Sequence, residues 1–360
     1  MLKIIFSTFF LTTCFISFGQ NTAITDGPYL FYRADSLTIQ CIANGKLETE
    51  LYSGQKKMPA SINVPVPGKA GVLLTVPLKK KIENEPSEFK AAEKLFVTSD
   101  IEGEFIGFEK LLLAGGVINK NFNWTFGTGH LVVCGDLFDR GEEVTACLWL
   151  LYKLEEEAKA AGGYVHVIIG NHEVMNLSED VRYVHPKYIS AATLMNRNYT
   201  ELYAANTELG RWLRTKNIME RIGKNLFLHG GVSQAVNDQN HSLKKINNLV
   251  RPLYELDGLD SILNAANAMV YFNNLTSPFW YRGYFAPPLA SMAQVDSTLK
   301  VFDVNKIIVG HTIVDSIQSI YNGKIIAIDV NHHKQNHQVL FIEQDSFYRM
   351  TAEGKKTKLN

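Results

Sequence analysis

HLVVCGDLFDRG, residues 130–141, sets an apolar run against a polar turn. Leu131 to Cys134 form a short β-prone run suited to a strand buried on both faces. Asp136, Asp139 and Arg140 then follow between Gly135 and Gly141, where the backbone turns tightly and can approach a ligand. Taken alone, the stretch also fits a charged turn with an internal Asp–Arg pair. Its neighbours decide the matter. The runs KLFVTS, YVHVIIG, NLFLHGG and KIIVGH end the same way, in Asp100, Asn171-His172, His229 and His311, and KIIAIDV carries Asp329. Between two of these runs lies EEVTACLWLLYKLEEEAKAAGG, with Val144, Cys147, Leu148, Leu151 and Leu154 at helical spacing. Glu142 and Glu143 favour its start, and Gly162-Gly163 its stop. Strands alternating with helices predict an α/β core with buried sheets. Polar groups just past the carboxyl ends of such strands are where ligands collect.

Around this core the sequence is less regular. The chain has 360 residues, with 36 Lys+Arg against 36 Asp+Glu, so no basic excess argues for nucleic-acid binding. Repeats, heptads and low-complexity tracts are absent. Residues 1–20, MLKIIFSTFFLTTCFISFGQ, place Lys3 before an apolar run to Phe18, a secretory signal pattern with cleavage expected between Gly19 and Asn21. The run is short for a bilayer span. A retained anchor, or lipid attachment through Cys14, is the alternative. The expected location is secreted or periplasmic. Cys41, Cys134 and Cys147 remain after cleavage, with no spacing that suggests disulfides. Residues 21–90 read as a small β-rich module, with a hairpin at Asn44-Gly45, followed by a charged linker, KKKIENEPSEFK. Residues 178–220 read as a mostly helical insertion, and 242–275 as a second, weaker helical stretch.

The acids at the first strand end need explaining. FVTSDIEGEF, residues 96–105, brings Asp100, Glu102 and Glu104 together, and such acids repel unless a cation sits between them. Asp136 has oxygens for two cations. Asn171 offers a neutral carbonyl oxygen or a helix cap, and His172 beside it points elsewhere, towards substrate. Taken singly, His229 and His311 read more readily as hydrogen-bonded structural histidines than as ligands; it is five strand ends in one chain that favour a metal centre. SPFWYRGYF, residues 277–285, places Arg282 in an aromatic loop. NHHKQNH, residues 331–337, reads as a hairpin loop near the surface, with a metal site as the lesser alternative, Glu104 as a cap or solvent-facing acid, and Asp329 as pocket lining or a plain strand-end carboxylate.

Asp-x-x-Gly, GDLFDRG, GNHE, HGG and GHT, in that order, resemble the calcineurin-like metallophosphoesterases, and within them the phosphoprotein-phosphatase branch with its Shewanella-like and related secreted bacterial members. The resemblance covers about residues 94–330, within an expected catalytic domain of 91–350. It implies a four-layer α/β/β/α sandwich and two divalent cations, with Mn first and Fe, Mg or Zn as alternatives. It implies that Asp136 bridges the cations, that Asn171, His229 and His311 complete the second site, and that Asp100 serves the first. His172 resembles the general acid, Asp139 the carboxylate orienting it, and Arg140 and Arg282 phosphate clamps; Asn171 also faces substrate. The implied reaction is phosphomonoester hydrolysis by metal-activated water. Its substrate is a phosphoprotein, phosphotyrosine included, or a small phosphomonoester or nucleotide.

The chain departs from the family pattern at Asp-x-His, where Glu102 replaces the histidine, and at Gly-His-x-His, where Ile313 does. Glu102 is then a ligand, a hydrogen-bonding neighbour, or the mark of a disabled site in a protein that binds metal without turnover. As a ligand it favours hard ions such as Mn²⁺ or Mg²⁺ over Zn²⁺.

Overall fold

The computed structural model describes residues 23–54, 58–255 and 268–359; the expected signal segment, Cys14 included, lies outside them. The six apolar runs are all strands: β7 (Lys94–Thr98), β8 (His130–Cys134), β9 (Tyr164–Ile168), β11 (Asn225–Leu228), β12 (Lys306–Val309) and β14 (Ile325–Ala327). One six-stranded sheet runs β17-β16-β15-β7-β8-β9, where β15 is Gln338–Glu343, β16 Ser346–Thr351 and β17 Lys356–Lys358. The other runs β13-β14-β12-β11-β10-β6, where β6 is Glu88–Phe89, β10 Met219–Ile222 and β13 Gln318–Ile320. β7, β8 and β9 are parallel, as are β11, β12 and β14, so their carboxyl ends point to one edge of each sheet.

The near-continuous apolar strands arise because both faces of each sheet are covered. Leu95, Val97, Val132, Cys134 and Ile168 meet Phe227, Ile308 and Ile326 of the opposite sheet. The alternate residues Phe96, Leu131, Val133, Val165 and Val167 join a second core under the outer helices. Each fully buried aliphatic or aromatic side chain contributes about 1.5–3 kcal/mol, so a charge at Val132 would disrupt the layer between the sheets. On the outside lie α1 (Phe105–Ala114) and α2 (Val144–Ala160) over the first sheet, with α6 (Gln234–Asp238), α7 (Leu243–Val250) and α8 (Met292–Val301) over the second. This is the expected four-layer sandwich.

The amino-terminal strands β1 (Asp26–Arg33), β2 (Ser36–Ala43) and β3 (Lys46–Tyr52) form one antiparallel sheet, and β4 (Ser61–Pro65) and β5 (Leu73–Pro77) a hairpin. Asn44 and Gly45 make the expected turn, both with positive φ, so that Ala43 pairs with Lys46. The module shares a core with the rest of the chain: Tyr29, Leu30, Val64 and Leu74 belong to the same apolar cluster as Phe105 and Leu148. Trp149 Nε1 donates to the Pro28 carbonyl at 3.0 Å. KKKIENEPSEFK is not a free linker. Lys79 pairs with the buried Glu155 at 3.0 Å, Glu85 with the buried Lys216 at 2.9 Å, and Glu88–Phe89 extends the second sheet. Lys79 and Glu85 are drawn in by buried partners, which composition alone does not reveal, while Lys81 and Glu83 pair at the surface.

The insertion at 178–220 holds α4 (Pro186–Leu194), a 3₁₀ turn at Tyr199–Tyr203 and α5 (Glu208–Leu213), but these cover fewer than half of its residues, less than the expected mostly helical insertion. The second helical stretch is α7, a 3₁₀ turn at Arg251–Leu253 and another at Met269–Tyr271. Cys41, Cys134 and Cys147 are free. Among the described residues no helix is long and apolar enough to cross a membrane.

Candidate metal centre

The turns after β7, β8, β9 and β12 converge on a cleft of about 1030 Å³, lined among others by Asp100, Glu102, Asp136, Asn171, His172 and His311, and the turn after β11 brings the buried His229 against Asp136, Asn171 and His311. The turns after β7, β8 and β12 bend sharply. Asp100, Glu102, Asp136, Asp139, Arg140 and His311 all hold positive φ, between 46° and 73°, a region that costs non-glycine residues energy and clusters at functional sites. Gly170 shows why a glycine follows β9: a Cβ there would collide with Asp136 Oδ1.

One point in the cleft gathers four electron-pair donors. Asp136 Oδ2, Asn171 Oδ1 and His311 Nδ1 lie 3.1, 2.9 and 3.1 Å from His229 Nε2. His229 Nδ1 sits 2.8 Å from the Cys134 carbonyl, an acceptor only, so Nδ1 carries a proton and Nε2 is the atom that faces the cluster. Burial lowers the pKa of His229, but Asp136 and Asp100 outweigh it and push it up to about 10. The surroundings therefore demand positive charge at that atom. Ligands about 2.1 Å from one cation stand roughly 3 Å apart at right angles, which matches these spacings. His311 is held neutral, its pKa pushed down by burial, His229 and Arg282, and its Nε2 is buried without a partner. The donor set fits a divalent cation.

The acids respond to the same crowding. Burial raises Asp100, and with Asp136 prevails over His229 to put it at about 6. Asp329 lines the cleft and rises to about 9 through burial and the neighbouring Asp100. Asp136 itself stays ionised: burial opposes this, but His229 and His172 prevail. Oδ1 accepts the His172 backbone N–H at 3.0 Å, and Oδ2 alone faces both His229 and, at 3.9 Å, His172 Nε2.

Beside this point stands a dyad. His172 Nδ1 lies 2.5 Å from Asp139 Oδ2. Burial lowers the imidazole's pKa, but Asp136 and the hydrogen bond to Asp139 raise it above the usual value. Asn176, one turn along α3 (Asn171–Leu177), donates to Asp139 Oδ1 at 2.9 Å and to the His172 carbonyl at 2.7 Å, and accepts from Tyr199 at 2.5 Å. Glu173 joins the turns: its oxygens accept from the backbone of Gly170, Asp136, Leu137 and Phe138. Glu173 and Asn176 escaped sequence reading, although Glu173 stands in GNHE and Asn176 is four residues from His172. Tyr199 has no local signal at all.

Arg140 pairs with Glu102, and its guanidinium lies 5.7 Å from the Tyr183 ring. Arg282 donates to the His311 carbonyl at 2.8 Å and to Thr312 Oγ1 at 3.0 Å. Both guanidiniums therefore face the cleft from fixed anchors. Residues 331–337 form no hairpin, since β14 and β15 lie in different sheets, and they are at the surface only at His333, Lys334 and Gln335. His332 is buried, and the His337 ring packs where a Cβ on Gly107 of α1 would stand. His333 bridges Glu102 Oε2 at 3.1 Å and Glu104 Oε1 at 2.9 Å, so Glu104 is neither free nor a side-chain cap. Mixed polarity suggested exposure because the acids that receive these imidazoles lie 229 and 231 residues away.

A family model for calcineurin-like phosphoesterases matches residues 93–315. Shewanella-like protein phosphatase 2 of Arabidopsis thaliana is 25% identical over 346 residues, covering 81% of this chain and 85% of the relative. Shewanella-like protein phosphatase 1 of Plasmodium berghei is 28% identical over 70% of this chain and 71% of its own length. The solved cold-active protein-tyrosine phosphatase of a psychrophilic Shewanella sp. superimposes with a TM-score of 0.83, at 34% identity over 93% of this chain and 99% of that one. The order of the motifs, the four layers and the convergent donors agree with these matches: the chain belongs to the calcineurin-like phosphoesterase family.

Proposed function

We propose that this phosphatase is exported, binds two divalent cations, and acts on phosphomonoesters, with tyrosine-phosphorylated protein as its preferred substrate class. The observation that carries the reading is the buried cluster in which Asp136 Oδ2, Asn171 Oδ1 and His311 Nδ1 all lie within 3.1 Å of His229 Nε2. Divalent cations held by such donors polarise phosphoryl oxygens and acidify water. Asp100, Glu102 and Asp136 are the residues that would hold the first cation, and Asp136, Asn171, His229 and His311 the second.

The protein's own groups do the rest. Arg282, anchored on His311 and Thr312, and Arg140, at the opposite wall, offer planar donor pairs that match phosphate oxygens. His172, its Nδ1 proton committed to Asp139, presents Nε2 to the cleft and delivers a proton to the leaving oxygen. The tyrosine preference rests on the solved protein-tyrosine phosphatases that the chain resembles at 33–34% identity. A recessed floor and an apolar rim agree with it: Asp136 and His172 are buried, while Leu275 and Ile313 at the mouth are exposed. A phenyl ring spans that depth better than a short serine side chain. Mn²⁺ is the proposed metal, and export rests on the pattern of residues 1–20.

The test is turnover by the chain from Gln20 onward, stripped with chelator and reloaded with Mn²⁺, Mg²⁺, Zn²⁺ or Fe²⁺. Matched phosphotyrosine and phosphoserine peptides serve as substrates beside an aryl phosphate. Metal-dependent release of phosphate, fastest from phosphotyrosine, is the expected result. Metal uptake without turnover on any substrate would overturn it in favour of a binding protein.

A further inference from the structure

The Asp-x-Glu motif leaves the first cation site without the histidine that the family pattern supplies there, and the fold brings another imidazole to the same carboxylate. We infer that His333 Nε2 is a ligand of the first cation, beside Glu102, and that Glu104 orients it. The inference rests on the two-cation reading above.

Three observations carry it. His333 Nε2 lies 3.1 Å from Glu102 Oε2, the same spacing that separates the donors at the second site. The other ring nitrogen, Nδ1, lies 2.9 Å from Glu104 Oε1, a carboxylate acceptor. Each ring nitrogen thus faces one carboxylate, and the tautomer that donates from Nδ1 to Glu104 is the one that would turn a lone pair on Nε2 towards a cation at Glu102. A histidine that ligates a metal through one nitrogen and donates from the other to a carboxylate is a recurrent arrangement. Finally, Glu102 also belongs to the candidate site, since its carboxylate lies within 4.8 Å of ligand atoms on Asp136 and His172.

The backbone around His333 is held. Asn331 Oδ1 accepts from Lys334 N at 3.1 Å, Asn336 Nδ2 donates to the Asp315 carbonyl at 2.9 Å, and His337 packs on Gly107. Only the His333 side chain retains freedom, at 30% exposure, to close on a cation. The third acid of SDIEGE thereby gains a role. One imidazole among carboxylates also shifts the site from Mg²⁺ towards Mn²⁺ or Fe²⁺.

The test is metal content and affinity in the full mature chain. Elemental analysis and Mn²⁺ titration calorimetry would compare wild type with His333→Ala, Glu104→Gln and Glu102→Gln, with thermal melting as a check of folding. Wild type should hold two ions. His333→Ala should hold one tightly, with the other weakened at least tenfold, and Glu104→Gln should weaken that same ion 10–100-fold. Two ions in His333→Ala, each bound within threefold of wild type, would overturn the inference and leave the two-cation reading intact. Fewer than two ions in wild type would instead overturn that reading, and this inference with it.

Discussion

Asp139 Oδ2 meets His172 Nδ1 at 2.5 Å across 33 residues of sequence, and Asn176 holds the other oxygen of the same carboxylate. An aspartate so placed selects one tautomer, with Nε2 open to the cleft. Asp139→Asn should therefore lower kcat by about 10²-fold or more with little change in KM. The loss should grow with the basicity of the leaving group, small for 4-nitrophenyl phosphate and large for phenyl phosphate. Steady-state kinetics on a series of aryl phosphates would check this; a loss independent of the leaving group would remove His172 from proton transfer.

Glu173 should be a stability residue that its own amide cannot replace. Oε1 accepts from Leu137 and Phe138 and Oε2 from Asp136 and Gly170, so four donors surround two acceptors. Glu173→Gln turns an NH₂ towards two of those donors. We expect a loss of about 3 kcal/mol, close to that of Glu173→Ala. Thermal unfolding with chelator present would separate this from loss of metal.

Removing the cations should cost stability as well as activity. Asp100, Asp136 and Asp329 repel one another in a buried site. Excess chelator should lower Tm, because an ion at 100 times its Kd stabilises the fold by about 2.7 kcal/mol. Asp136→Asn should abolish the response to added Mn²⁺, as scanning calorimetry would register.

His130, far from the cleft, should give stability a pH dependence of its own. Its Nδ1 lies 2.9 Å from His166, whose own Nδ1 faces Glu220 at 2.6 Å. Burial and His166 push the pKa of His130 down to about 4, against roughly 6.5 unfolded. Between those values the unfolded chain binds more protons, so stability is intact above about pH 6.5 and falls as pH drops towards 4. Urea unfolding of wild type and His130→Gln at pH 7 and pH 4.5 should show the smaller loss in the variant.

The strands and most of the donors were legible because they are local. An apolar run ending in Gly-Asp or Gly-Asn-His declares both an element and its cargo, as at Asp136 and Asn171. The relation of His333 to Glu102 and Glu104 was not legible, since neither stretch describes the other. Nor was the pairing of Glu85 with Lys216, which turns an apparent linker into a packed segment. Asn176 lay within reach, because α3 sets it one turn from His172. Tyr199 did not, because its place depends on how the insertion folds back.

Six reactive side chains stand on left-handed backbone, at Asp100, Glu102, Asp136, Asp139, Arg140 and His311. Glycine would relieve each of them, by about 1 kcal/mol or more where no other bond is lost. Selection for durability and selection for turnover thus pull against each other at the same Cα atoms. A lineage released from catalysis would drift towards a sturdier, silent protein, recognisable by glycines where this chain keeps its acids.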